Sequence, residues 1–293
     1  MRAHPRLWAV LALMLNAFVW GVSWWPFRHL QSAGLHPLWA TVLIYLFAVG
    51  VIAIARPHAF GQVLRRPVLW VLVIASGSTN AAFNWGVAIG DVVRVVLLFY
   101  LMPLWVVLLA RVLLHEKLTW LAGARVLLAL GGAAIVLWPE DGSGFPLPRS
   151  LPDWLGVCGG FAFGLNNVML RREAKQPEES RAMAMFLGGV LVAGTLATVL
   201  AWRGEAAWPP APTLGWVPLA VLLSAFFLVS NMALQYGAAR LPANVASVVM
   251  LTEVLFASVS ALLLGGGTMT PALAMGGGLI LLAALLSTLD STH

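Results

Sequence analysis

Thr79-Asn80-Ala81-Ala82-Phe83-Asn84-Trp85-Gly86 returns later in the chain as Ser230-Asn231-Met232-Ala233-Leu234-Gln235-Tyr236-Gly237, with seven of eight columns identical or chemically similar. Each copy sets two amides four residues apart, which places them on one face of a helix. Both copies lie inside long apolar runs, where an amide is costly and marks either a site or a helix contact. The chain therefore carries an internal repeat whose units hold polar groups at membrane depth.

Composition agrees with a membrane setting. Hydrophobic residues make up 61% of 293 and charged residues only 10%, against roughly 45–50% and about 25% in a soluble domain. The net charge of +6 does not indicate nucleic acid, because the basic residues fall in short segments between apolar runs and form no basic face. Cys158 is the single cysteine, which excludes an intrachain disulfide or a cysteine-based zinc site. His4, His29, His36, His58, His115 and His293 all fall in loops or ends, so no metal cluster is expected, and no cofactor motif is present.

A bilayer core about 30 Å thick takes about 20 helical residues. On that ruler the chain divides into ten apolar spans, at 7–27, 36–55, 68–89, 94–114, 119–138, 152–170, 182–202, 214–236, 243–264 and 271–289. Runs of this length predict an all-α integral membrane protein, not a barrel. The first run is too long for a signal-peptide core and is expected to stay as a span. With the N-terminus inside, the cytoplasmic side receives Arg2, Arg6, Arg56, Arg65, Arg66, Arg111, Lys117, Arg125, Arg171, Arg172, Lys175, Arg181 and Arg240, thirteen of the 17 Lys+Arg. Arg28, Arg94, Arg149 and Arg203 remain outside. The positive-inside bias thus expects both termini in the cytoplasm of a bacterial inner membrane.

The repeat extends beyond its best-matched block. Tyr100-Leu101-Met102-Pro103 corresponds to Met250-Leu251-Thr252-Glu253, and Phe18-Val19-Trp20-Gly21 to Phe161-Ala162-Phe163-Gly164. Five spans per half is odd, so the halves at 1–145 and 146–293 are expected to be inverted relative to each other, with substrate bound near the midplane between them.

The Trp20-Gly21 element, Tyr100-x-x-Pro103, the stretch Leu114-His115-Glu116-Lys117-Leu118-Thr119 and the five-plus-five plan resemble the drug/metabolite transporter superfamily, in its ten-span EamA branch. Within that branch the chain looks most like the aromatic amino acid exporters. The resemblance covers residues 7–289 and implies a monomeric carrier of small metabolites. Two departures stand out: Glu253 occupies a position usually held by proline, and Gly265-Gly266-Gly267-Thr268 replaces the second Gly-Glu-x-Leu-Thr.

Asn80, Asn84, Asn231 and Gln235 are the leading substrate-binding candidates, because an amide offers donor and acceptor together to a zwitterion. Their alternative role is hydrogen bonding between helices. Asn166, Trp20, Trp24, Tyr100, Met102, Ser247 and Met250 complete the expected lining. Asn16 and Asn167 share the first and sixth spans. Glu253, near the middle of the ninth span, is a proton-carrier candidate, with a structural acid as its alternative. Asp91 and Arg94 at a span junction read as a solvated salt bridge. Gly156, Gly160 and Gly164 read as a packing stripe, and Trp8, Trp39, Trp70, Trp138, Trp154, Trp202, Trp208 and Trp216 as an interfacial belt.

The pattern expects a secondary transporter that exports amino acids, or similar small metabolites, by alternating access. Nucleotide-sugar or phosphate-ester carriers and drug carriers of the same superfamily are the alternatives within that class, and a channel is a further one. An intramembrane enzyme would need a nucleophile and base in the spans, whereas Glu253 stands without such a partner. An ATP-driven pump would need a phosphate-binding loop, and the chain has none.

Overall fold

The computed structural model describes residues 5–115, 120–138, 145–173, 175–238, 240–241 and 249–286. Prolines open many of the helices, where a missing N–H costs nothing and the fixed φ is already helical. The first span comprises α1 (Pro5–Val22) and α2 (Trp24–Ser32), followed by α3 (Pro37–Ala55), α4 (Pro57–Arg65) and α5 (Pro67–Ile89). Next come α6 (Val92–Phe99), α7 (Met102–Leu113), α8 (Trp120–Leu137), α9 (Leu151–Arg172) and α10 (Glu178–Trp202). The described chain ends with α11 (Val217–Ala238), α12 (Thr252–Leu264) and α13 (Pro271–Leu286). Local capping explains several starts: Asp91 accepts from Arg94 N, Ser150 from Asp153 N and His36 from Leu38 N.

Every expected span holds a helix, and the fold is that of an all-helical membrane protein. On length and apolar content alone, six helical stretches suffice to cross a membrane, or seven if the bent pair α4–α5 counts as one. Of the other three, α9 carries Asp153 in its first turn, Asn166 and Asn167 further along and Arg171 and Arg172 in its last turn, while α12 and α13 are described over 13 and 16 residues. α4 was not expected. It is a short helix bent by 105° from α5, with Ala59 and Val63 packed inward and Phe60 and Leu64 exposed.

Helix packing repeats when the halves are exchanged. α1 packs on α11 and α12, and α9 packs on α5 and the α6–α7 pair. Across the two seams α3 meets α10 and α8 meets α13, so equivalent helices face one another. The glycine stripe of α9 admits the α6–α7 backbone, with Gly160 closest to the Phe99 carbonyl. Of the aromatic belt, Trp8, Trp138, Trp154, Trp202 and Trp208 are exposed. Trp216 departs from the expectation: it is buried among Phe27, Tyr45 and Phe227, with Nε1 donating to the Ala211 carbonyl at 3.2 Å.

Candidate functional site at the junction of three broken helices

Three spans are interrupted. α1 gives way to α2 at Ser23, whose hydroxyl donates to the Trp20 carbonyl at 2.8 Å. α6 gives way to α7 at Tyr100–Leu101, and α12 starts after Leu251. The last two breaks share a geometry, since Leu104 N donates to Leu101 O at 3.0 Å and Val254 N to Leu251 O at 3.1 Å. These are the positions the repeat pairs with one another. Broken helices free backbone groups at membrane depth only where protein or a cavity satisfies them, which is why transporters build sites there.

The breaks bring predicted residues together. Tyr100 Oη donates to Glu253 Oε2 at 3.2 Å, with both side chains buried. Trp24 is buried and its Nε1 donates to Ser260 Oγ at 2.9 Å, while Trp20, Met102 and Leu251 pack against the same core as Trp24 and Tyr100. Gly21 makes the approach possible: a Cβ there would lie 2.8 Å from the Glu253 carbonyl oxygen and from Phe256 Cβ. Its repeat counterpart Gly164 meets Trp105 Cβ at 3.1 Å and Met102 O at 3.5 Å. Met250 is half-buried just before the Leu251 break.

Aromatic rings that were not among the expected lining residues extend this cluster. Trp20 stands edge-on to Phe83 at 5.7 Å and to Phe227 at 4.8 Å, and Phe83 to Phe99 at 5.0 Å. Phe99 in turn meets Phe163 at 5.4 Å and Tyr100 at 6.2 Å. Phe163 was legible in principle, because the repeat aligns it with Trp20. Phe83 sits next to Asn84 and Phe99 next to Tyr100, while Phe227 lies four residues before Asn231.

The amides take separate places. Asn80 accepts from Tyr45 Oη at 2.5 Å and donates to the Ser76 carbonyl at 2.8 Å; Asn84 donates to Thr41 Oγ1 at 3.0 Å. Both therefore bond to α3, a helix with no amide of its own. Asn16 donates to the Ser230 carbonyl and hydroxyl, at 3.0 and 2.7 Å. Asn166 is buried on α9, and the Oδ1 atoms of Asn16, Asn84 and Asn166 are buried without a hydrogen-bond partner. Asn231 and Asn167 are half-buried. The side chain of Gln235, Ser247, residues 116–119 and the start of the ninth span at 243–248 lie outside the described residues.

At the end of the bundle where α2 and α5 finish, the two halves are tied together. Arg28 donates to the carbonyls of Val87, Ala88 and Gly90 and, at 3.1 Å, to that of Gly266, with its guanidinium 4.9 Å from the Trp24 ring centroid. Val92 N donates to Gly266 O at 3.1 Å, and Thr268 N to Asp91 Oδ2 at 2.8 Å. The expected Asp91–Arg94 salt bridge is corrected here. Asp91 spends its carboxylate on backbone N–H groups as the α6 cap, while the Arg94 side chain pairs with Asp153 through two bonds of 2.6 and 3.2 Å and also donates to the Val136 carbonyl.

The EamA-like transporter family model matches this chain twice, over residues 7–138 and 150–289. A solved structure titled only as the crystal structure of a protein shares the fold, with a TM-score of 0.55 and 20% identity over 97% of each chain. No curated protein matches the chain. The double match falls on the two repeat units and covers nearly all of the sequence, so the chain belongs to the EamA-like transporter family.

Proposed function

We propose that this transporter exports amino acids, aromatic or otherwise apolar, or closely similar small metabolites, by alternating access through ten crossings arranged as two inverted five-helix halves, 1–145 and 146–293. The observation that carries this reading is the Tyr100–Glu253 pair, with Tyr100 beside Phe99 in the run of ring contacts that joins Trp20, Phe83, Phe99 and Phe163. Aromatic faces and edges suit an apolar or aromatic substrate side chain. The Glu253 carboxyl suits an ammonium group, or a proton in its place. The unpartnered Oδ1 atoms of Asn16, Asn84 and Asn166 are acceptors available to a substrate without a fixed charge of their own. Substrate-binding roles for Asn231, Gln235, Ser247 and Met250 belong to the same proposal.

A cationic drug is the second substrate class favoured by the same observation, since a carboxyl among aromatic rings also suits an organic cation. The discriminating experiment is counterflow in proteoliposomes, with labelled phenylalanine, leucine and a quaternary ammonium compound as separate probes. Accelerated uptake of phenylalanine and leucine into vesicles preloaded with unlabelled substrate supports the amino-acid reading. Counterflow of the quaternary ammonium alone overturns it.

The two amides of α5 predict different outcomes. Asn80 has both ends of its amide bonded, so Asn80→Ala is expected to lower thermal stability. Asn84 keeps Oδ1 unpartnered, so Asn84→Ala is expected to cost transport, by about 0.5–1.5 kcal/mol or roughly 2- to 12-fold in substrate affinity, with a smaller change in melting temperature. Equal thermal losses with normal transport would make both structural.

The proposed orientation puts both termini in the cytoplasm. In a Cys158→Ser background, Arg2→Cys and His293→Cys are each expected to resist an impermeant thiol reagent outside intact cells and to react once the membrane is opened. Labelling of both in intact cells reverses the orientation.

A further inference from the structure

Pro57 opens α4 and Pro67 opens α5, and the two helices meet at a bend of 105°. The 23 residues of α5 reach about 34 Å at 1.5 Å each, enough to cross a hydrocarbon core of about 30 Å unaided. α4 is therefore not needed to complete that crossing, and at this angle it runs along the membrane surface. Its three faces differ. Ala59 and Val63 are buried in a cluster with Leu69, Met169 and Met183. About 100° around the helix, Phe60 and Leu64 are exposed, at 41% and 54%. The opposite flank is polar: His58 meets Glu179 at 3.3 Å, and Gln62 accepts from the Ser180 hydroxyl, both partners lying at the start of α10. Residues 56–66 hold three arginines and no carboxylate. Arg56 is close enough to Glu179 to interact with its charge. Arg65 is exposed and Arg66 half-buried, and among the described residues neither guanidinium has a hydrogen-bond or ion-pair partner.

We propose that α4 is an interfacial anchor whose partner is an anionic phospholipid surface, with Phe60 and Leu64 set into the acyl boundary and Arg65 and Arg66 on headgroup phosphates. A helix lying in the interface binds through its apolar face and its basic residues together. Phosphate oxygens fill the donors that the protein leaves open on the two guanidiniums. The partner is a bilayer and not a soluble acidic protein, because the same helix turns directly into a crossing with Trp70, an interfacial residue type, in its first turn. A lipid held here fastens the start of the helix that carries Asn80 and Asn84, and headgroup composition then sets how firmly that end is held.

The reporter is Gly61→Cys in a Cys158→Ser background, labelled with bimane. A Cβ at Gly61 meets nothing within 4 Å, and the position falls between the Leu64 and Arg65 faces. Brominated phosphatidylglycerol or brominated phosphatidylcholine is diluted into phosphatidylcholine vesicles as quencher. Half-quenching by the anionic lipid is expected at a fraction on the order of 10-fold lower, since each arginine near an anionic surface favours it by about 5-fold. Arg65→Gln with Arg66→Gln is expected to bring the two curves together. Phe60→Ser with Leu64→Ser is expected to weaken quenching by both lipids. These side chains are exposed or half-buried, so the variants should fold, and melting temperature checks each. Coincident curves in the parent protein, or selectivity that survives loss of both arginines, overturn the anionic partner. Absence of quenching by either lipid overturns the interfacial placement and assigns this face to water or to another protein. The readout uses no transported substrate, so it stands apart from the outcome of phenylalanine and leucine counterflow.

Discussion

Glu253→Gln is expected to abolish stimulation of transport by a proton gradient while leaving substrate counterflow measurable. Glu253 lies in the first turn of α12, buried, and its one side-chain hydrogen bond among the described residues comes from Tyr100 Oη at 3.2 Å. A glutamine keeps the shape and can still accept from the phenol, but it cannot load or release a proton. The expected effect is all or none, because no second carboxylate is placed near the midpoint of a span. Tyr100→Phe should be milder, altering the pH dependence of transport without removing it. Proton dependence unchanged in Glu253→Gln would take Glu253 out of the coupling step, and a wild-type protein indifferent to the gradient would favour facilitated export.

Arg94→Ala is expected to produce the largest loss of stability. Asp153 has a side chain only 4% exposed and pairs with Arg94 at 2.6 Å. Removing the guanidinium leaves a buried carboxylate with a weaker partner, Arg149 N at 3.3 Å. Breaking such a pair from one side costs about 3–5 kcal/mol, and the partial exposure of Arg94 places the expectation near the lower figure. The melting temperature in detergent should fall by several degrees, and adding Asp153→Leu to Arg94→Ala should recover most of the loss. A single substitution that leaves stability unchanged, or a double variant no better than the single, would show that the pair contributes little.

The helical positions and the repeat were legible because both are written in local order. A span needs a run of apolar residues, and the run is visible without knowing its neighbours. The repeat also foretold that Tyr100–Leu101 and Leu251 correspond, and the structure breaks both spans there. What could not be read was the choice of partner across helices. Asp91 and Arg94 sit one turn apart, yet backbone amides claim the first and Asp153 the second. Asn80 and Asn84 share a face, but nothing in their own helix says that this face meets Tyr45 and Thr41 on α3. The helix α4 was missed because its nine residues, opened by a proline and flanked by Arg56 and Arg66, look like a loop until Ala59 and Val63 are seen packed inward. Phe83 and Phe99 were overlooked because an aromatic residue in an apolar run carries no signal until its ring is seen against another.

The break that starts α12 also sets an electrical position. Glu253 is the second of the 13 residues of α12, counted from the break. At 1.5 Å per residue it lies about 16 Å from the far end of that helix, roughly half of a hydrocarbon core about 30 Å thick. If Glu253 takes up a proton or ammonium as proposed, that cation crosses about half of the transmembrane voltage to reach it, worth about 1.2 kcal/mol per 100 mV. Occupancy of the carboxyl is then expected to depend on membrane potential, and the side from which a cation enters decides whether the potential loads it or drives it off.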